Sequence, residues 1–234
     1  MKFIERSQER GTSDLGWLHS RFSYSFAEYW NPSRMGFGVL RVVNDDSIDP
    51  ESGFPLHHHE NMEIITVMLE GTLTHEDSMG NRKEITEGEV QVMSAGTGVD
   101  HSEWNHEKEL TAKLLQIWIL PDKKGHTPRY DQRKYEVQDR HDQFSVIVSG
   151  KHKEGVLFIN QDAHIARAHI AEGKHAAYAC EDPSRGLFLF VISGKIEIGE
   201  DVLEERDAME ISGETLVSIK AHQLADVLII DVPL

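Results

Sequence analysis

The second half of this 234-residue chain repeats the first in outline, and the repeat is the strongest constraint on its fold. The run "MLEGTLTHED" at 68–77 returns as "VISGKIEIGED" at 191–201. In the same order, "GEVQVMSAG" at 88–96 returns as "RDAMEISG" at 206–213, and "KLLQIWILP" at 113–121 as "ADVLIIDVP" at 225–233. A pattern that recurs in order builds the same supersecondary unit twice. These segments, with "MGFGVLRVV" and "MEIITVML", are rich in β-branched and aromatic residues and are separated by Gly, Asp and Asn turns such as Ser78-Met79-Gly80-Asn81. Helical periodicity is poor in them, so the chain reads as all-β, with two barrels. The polar, proline-bearing stretch "PDKKGHTPRYDQRKYEVQDRH" has the composition of an interdomain connection. The expected organisation is a first barrel over 1–125, a linker over 126–142 and a second barrel over 143–234.

Two histidine clusters, His57-His58-His59 and His101-Ser102-Glu103, stand at the edges of strand patterns in the first half. Alternate side chains of a strand share a face, so His57 and His59 point one way and His58 the other, while His101 and Glu103 can join the first pair from a second strand. Three imidazoles and a carboxylate make a transition-metal donor set, and an octahedral ion so held keeps open positions for a substrate oxygen and for dioxygen or water. The second half has only His175 and His222 at the matching places, with no His-x-His pair and no carboxylate two residues after His222. A metal site is therefore expected in the first barrel alone. His75 is the one further histidine placed to line a pocket mouth, and Phe37, Val39, Met93 and Trp118 are candidate wall residues.

Charge and cysteine usage narrow the function classes. With 24 basic and 40 acidic residues the net charge is -16, which leaves no basic excess to bind nucleic-acid phosphates or anionic membranes directly. A single cysteine, Cys180, excludes an intrachain disulfide and fits a reducing compartment. The amino terminus has no apolar core of the signal-peptide kind, and no apolar run approaches the roughly 20 residues of a membrane span. A cytoplasmic monomer is expected.

Both histidine segments resemble the cupin motifs of the pirins and of bacterial pirin-like quercetinases. The resemblance starts at "RFSYSFAEYWNPSRMGFGVLRVVNDDSIDPESGFPLHHH" and continues through "HEDSMGN" and "MSAGTGVDHSE" to "LLQIWILP"; the second half matches in pattern only. It implies a bicupin, two double-stranded β-helix (jelly-roll) barrels, with metal ligands at His57, His59, His101 and Glu103. Two departures stand out. His58 occupies a place where many pirins have proline, and Glu60-Asn61-Met62-Glu63 replaces an arginine-glycine-aromatic run. The general cupin pattern takes its carboxylate from the first motif, which leaves Glu63 as an alternative ligand or as a partner of a ligand.

The resemblance further implies one divalent transition metal per chain, Fe(II) first, with Mn, Co, Ni, Cu or Zn as alternatives. A pirin-like quercetinase would bind a flavonol through its ring hydroxyl, react it with O2, open the heterocycle and release carbon monoxide, with Glu103 as ligand and general base. The other activity it implies is a metal-binding, iron-sensing regulatory protein that acts on a protein partner.

Overall fold

A computed structural model describes residues 1–180 and 182–234. The strands, in chain order, are β1 (Lys2–Glu5), β2 (Gly11–Asp14), β3 (Leu18–Phe22), β4 (Leu40–Ile48), β5 (Ser52–His59), β6 (Glu63–Glu70) and β7 (Thr72–Asp77). They continue with β8 (Arg82–Thr86), β9 (Glu89–Ser94), β10 (Val99–Asn105), β11 (Ala112–Ile119), β12 (Arg129–Lys134), β13 (Ser145–Ser149), β14 (Leu157–Phe158) and β15 (His164–Ile170). The last are β16 (His175–Ala179), β17 (Arg185–Ser193), β18 (Lys195–Ile198), β19 (Asp201–Glu204), β20 (Ala208–Ser212), β21 (Leu216–Ala221) and β22 (Ala225–Pro233). Two short 3-10 turns, Ser7–Glu9 and Val137–Arg140, are the only helical elements among the described residues, and none is long and apolar enough to cross a membrane.

The chain divides into two compact units. One comprises Gly11–Tyr135 and Leu157–Gln161; the other comprises Met1–Arg10, Glu136–Val156 and Asp162–Leu234. In the first, one antiparallel sheet runs β12-β9-β6-β11-β4-β3-β2 and a second runs β5-β10-β7-β8. In the other, the sheets run β1-β20-β17-β22-β15-β13 and β16-β21-β18-β19. The order β9-β6-β11-β4 is matched by β20-β17-β22-β15, and β5-β10-β7-β8 by β16-β21-β18-β19, so the sequence repeat is a repeat of topology.

One glycine pair shows how closely the repeat is kept. Gly71, between β6 and β7, has φ +76°, and a Cβ there would stand 2.9 Å from Thr111 O at the foot of β11. Gly194, between β17 and β18, has φ +88° and would drive a Cβ into Leu224 O at the foot of β22. Only glycine tolerates both that dihedral and that approach.

Two strands depart from the composition-based boundaries. Lys2–Glu5 pairs with β20, and Arg129–Lys134, inside the stretch read as a linker, pairs with β9 from Arg129↔Ser94 to Lys134↔Glu89. Both are sheet-edge strands with mostly exposed or half-exposed side chains. An edge strand whose face meets water carries the same polar composition as a linker, and only its backbone pairing distinguishes it.

The interior of the first unit is layered. Leu18, Ile48, Met68, Leu73, Ile85, Ala112 and Leu114 form an apolar layer, and Ile64, Met93 and Val99, with Trp118 and Tyr130 against them, form another. A polar row crosses the sheet through the pairings Asn44↔Gln116, Gln116↔Thr66 and Thr66↔Gln91. Among the described residues of the other unit, Ala176, Tyr178, Val217, Ile219 and Ala221, on the strands that correspond to β5 and β10, instead join a continuous apolar cluster.

Candidate metal centre

β5 and β10 bring the histidine clusters together. His101 lies opposite His57, Val99 lies opposite His59, and a bulge follows, because Glu103 pairs with Phe54. Three steps along β5 are thus matched by two along β10, which leaves Pro55-Leu56 as the bulged segment. Proline suits a bulge, having no N–H to contribute to the ladder. The strands approach so closely here that a Cβ on Gly53 would collide with the backbone of Glu103 and Trp104.

His57, His59 and His101 each offer a ring nitrogen within 4.8 Å of the others. His58 points away as alternation requires: its side chain is 57 % exposed, and its Nδ1–H donates to Asp100 Oδ1 at 2.8 Å. Glu103 is buried at the same cavity, but its oxygens group within that distance with His75 and His101, not with His57 and His59. The three imidazoles are therefore brought together by the β5–β10 pairing, with the carboxylate set slightly back.

Hydrogen bonds assign the imidazole tautomers. Nδ1–H of His57 donates to Pro55 O at 2.8 Å, since a carbonyl can only accept, and this leaves Nε2 as the ring nitrogen that can offer a lone pair. Behind His101, Nε2–H of His75 donates to Asp77 Oδ2 at 2.9 Å, so His75 Nδ1 can accept the long 3.5 Å bond from His101 Nδ1–H. Asp77 is held by the side-chain amide of Asn81 at 2.9 and 3.1 Å and by the backbone N–H groups of Met79 and Asn81. Hydrogen bonds from His75 and Asn81 outweigh burial and lower its carboxyl below the usual range. His57 Nε2 and His101 Nε2 then face one another at 3.0 Å with both lone pairs unspent.

With the His101 proton on Nδ1, the two Nε2 lone pairs converge as a pair of donors to a cation. At 3.0 Å the two nitrogens stand close enough for one ion to be held by both. Burial, then the neighbouring imidazoles, lower His59 to about 4 and His101 to about 3, so both rings are neutral donors at pH 7. The cluster has the chemistry of a divalent-metal site.

Glu103 is fixed by a closed ring of hydrogen bonds built on the polar row. Gln91 Nε2 donates to Glu103 Oε1 at 2.6 Å and to Thr66 Oγ1 at 2.8 Å. Thr66 Oγ1–H donates to Gln116 Oε1 at 3.1 Å, and Gln116 Nε2 donates to Glu103 Oε2 at 3.0 Å. Glu63 belongs elsewhere. It is buried on the other face of β6, where Ser94 Oγ–H and Asn160 Nδ2–H donate to it at 2.7 and 3.0 Å, and it is neither ligand nor ligand partner.

The three histidines and Glu103 open into a cavity of 320 Å³, walled by Phe22, Phe26, Phe54, Ile64 and Trp118. Trp118 packs edge-on against both His59 and Phe26, with ring centroids 4.9 and 5.2 Å apart. Of the expected wall residues only Trp118 lines it: Met93 is buried in the apolar layer, and Phe37 and Val39 do not border the cavity. His75 is not at the mouth but fully buried behind His101, stacked on Tyr130 at 4.5 Å. Asp46, unremarked in the sequence, also borders the cavity; burial pushes its carboxyl up to about 7, against the pull of a hydrogen bond from Ser20.

Residues 4–119 match the Pirin family and residues 146–232 match the Quercetinase C-terminal cupin domain. Over its whole length the chain is 38 % identical to the quercetin 2,3-dioxygenase of Escherichia coli (strain K12), of which it covers 99 %. The chain belongs to the pirin family. A pirin-like protein of Caulobacter vibrioides is 38 % identical over 222 residues, 94 % of this chain and 95 % of the relative. The crystal structure of the bacterial pirin YhhW from Escherichia coli in complex with nickel(II) superposes with a TM-score of 0.94 at 38 % identity, covering 100 % of this chain and 99 % of that one. The all-β bicupin architecture is that of the pirins.

Proposed function

We propose that the protein is a metal-dependent dioxygenase that cleaves the heterocyclic ring of flavonols such as quercetin with O2 and releases carbon monoxide. The observation that carries this reading is the aromatic cavity that opens directly onto converging, neutral imidazole lone pairs. His57, His59 and His101 would hold the ion through their ring nitrogens, with Glu103, set back behind His101, as the fourth ligand. Fe(II) is the ion assigned, within a donor set that also accepts Mn, Co, Ni, Cu and Zn. When bound, it supplies Lewis acidity toward a phenolic hydroxyl and the means of engaging dioxygen.

The protein's own groups do the rest. Phe22, Phe26, Phe54 and Trp118 exclude water and hold a flat ring system against the histidines. Glu103 Oε2, engaged at 3.0 Å by Gln116 rather than at 2.6 Å as Oε1 is by Gln91, accepts the hydroxyl proton of the substrate. The Gln91–Thr66–Gln116 ring fixes that carboxylate before substrate arrives, so no reorganisation is needed during the reaction. At 320 Å³ the cavity lies at the small end of the range of roughly 300–1,000 Å³ usual for ligand sites.

The test is quercetin-dependent O2 uptake and carbon monoxide release by protein reconstituted anaerobically with Fe(II), and in parallel with Mn, Co, Ni and Cu. The His57→Ala, His59→Ala double variant is the blank. Uptake that needs both metal and the histidine pair is the expected result. Absence of uptake with every metal, in protein shown to hold one ion per chain, overturns the enzyme reading in favour of a metal-sensing role.

A further inference from the structure

The cavity holds polar groups that neither the metal set nor the Glu103 ring uses. β4 places Asn44 and Asp46 on its inner face, where both border the cavity and both are 3 % exposed. Asn44 Oδ1 and Asp46 Oδ1 are buried acceptors to which no side chain or backbone group donates. Their cross-strand neighbours explain this. Asp46 lies between Ser20, which serves its carboxyl from one side, and Leu114, which has nothing to donate. Asn44 lies between Phe22 and Gln116, and the Gln116 amide is already joined to Glu103 and Thr66. A third group has the opposite polarity: Trp118 also lines the cavity, and its buried indole Nε1–H has no acceptor.

Buried polar groups are ordinarily paired, and an unpaired set that shares one cavity marks what the cavity is built to receive. Two acceptors and one donor on residues of a largely apolar lining are complementary to an aromatic ligand that carries hydroxyl groups and a carbonyl. We propose that Asp46, with Asn44 beside it, is the substrate-recognition element of the cavity, accepting ring hydroxyls of the substrate other than the one presented to the metal set. This rests on the flavonol reading above and narrows it to polyhydroxylated members. Glu103 and Asp46 thereby divide the work: one takes the reacting hydroxyl, the other a hydroxyl that reports identity. A site built to bond a hydroxyl rejects the analogue that lacks it far better than an apolar pocket rejects one methylene.

The experiment is equilibrium binding, without O2, of quercetin and of 3-hydroxyflavone, which keeps the reacting hydroxyl and the carbonyl but no other hydroxyl. Ligand fluorescence would be followed with metal-loaded wild type, Asp46→Ala and Asp46→Asn, with metal content measured on each. Loss of a buried hydrogen-bond partner predicts that Asp46→Ala weakens quercetin by roughly tenfold and 3-hydroxyflavone less than about twofold. Asp46→Asn, which keeps an oxygen acceptor in place, should recover most of the loss. An equal loss for both ligands would make Asp46 structural, and no loss for quercetin would remove it from recognition; either outcome overturns the proposal. Wild type that binds neither flavonol while holding its metal overturns the flavonol reading itself, and this proposal with it.

Discussion

His57 and His58 are adjacent in the chain, yet opposite outcomes are expected when each is removed. His57→Ala or His101→Ala takes away one of two Nε2 atoms that converge at 3.0 Å, and should abolish stoichiometric metal binding as measured by metal analysis after gel filtration. His58→Ala removes an exposed side chain whose hydrogen bond among the described residues is to Asp100, and should leave metal content unchanged; loss of metal would mean the strand register is wrong. Asp46 gives a pH-dependent expectation. Its folded pKa of about 7 lies above the ordinary 3.8, so the native state binds the extra proton and its stability falls as pH rises through that interval. Full ionisation costs on the order of 4 kcal/mol. Metal-free Asp46→Asn should therefore match wild type near pH 4 and exceed it by up to that amount at pH 8, which urea unfolding at the two pH values measures. A constant difference between them would refute the assignment.

At the scale of elements, the site is made by strand register. The bulge at Pro55-Leu56 lets His57 and His59 meet His101 while Phe54 meets Glu103. Alternation, a local property of any strand, puts His57 and His59 on one face; the pairing of β5 with β10 brings His101 to them. The Glu103 ring was also present in the sequence, though less visibly. Thr66 in "IITVM", Gln91 in "VQVM" and Gln116 in "LLQIW" are each a single polar residue inside an apolar strand, and such a residue must find a buried partner. Which partner depends on sheet order, which no one strand carries. Gln116→Leu should leave one Glu103 oxygen without its donor and cost about 1–3 kcal/mol in thermal unfolding, with weaker metal binding by calorimetry. Gly71→Ala tests a different element: with φ +76° and a backbone oxygen 2.9 Å from the new Cβ, it should destabilise the fold by about 1–3 kcal/mol. An unchanged melting temperature would mean that the β6–β7 turn relaxes freely.

For the whole molecule, both groups of ligating side chains found among the described residues lie in the unit Gly11–Tyr135. A ligand that binds only the folded state stabilises it by mass action. Divalent metal should raise the melting temperature in a concentration-dependent way and slow amide exchange in β5, β10 and β7. The interior of the other unit is a continuous apolar cluster, and its exchange should not respond. Equal protection of both units on metal addition would contradict a site confined to the first.

The amino-acid sequence by itself determined the strand content, the duplication and the shared face of His57 and His59, because each follows from periodicity and turn chemistry along the chain. Only the tertiary structure decided which edge strands belong to which unit, why Glu63 is not at the site, and that His75, Asp77, Asp46 and the glutamines surround it. Those relations are set by hydrogen bonding and packing between strands remote in sequence. A polar side chain at an edge, in a linker or deep beside a metal site looks alike until the sheet order shows what it faces.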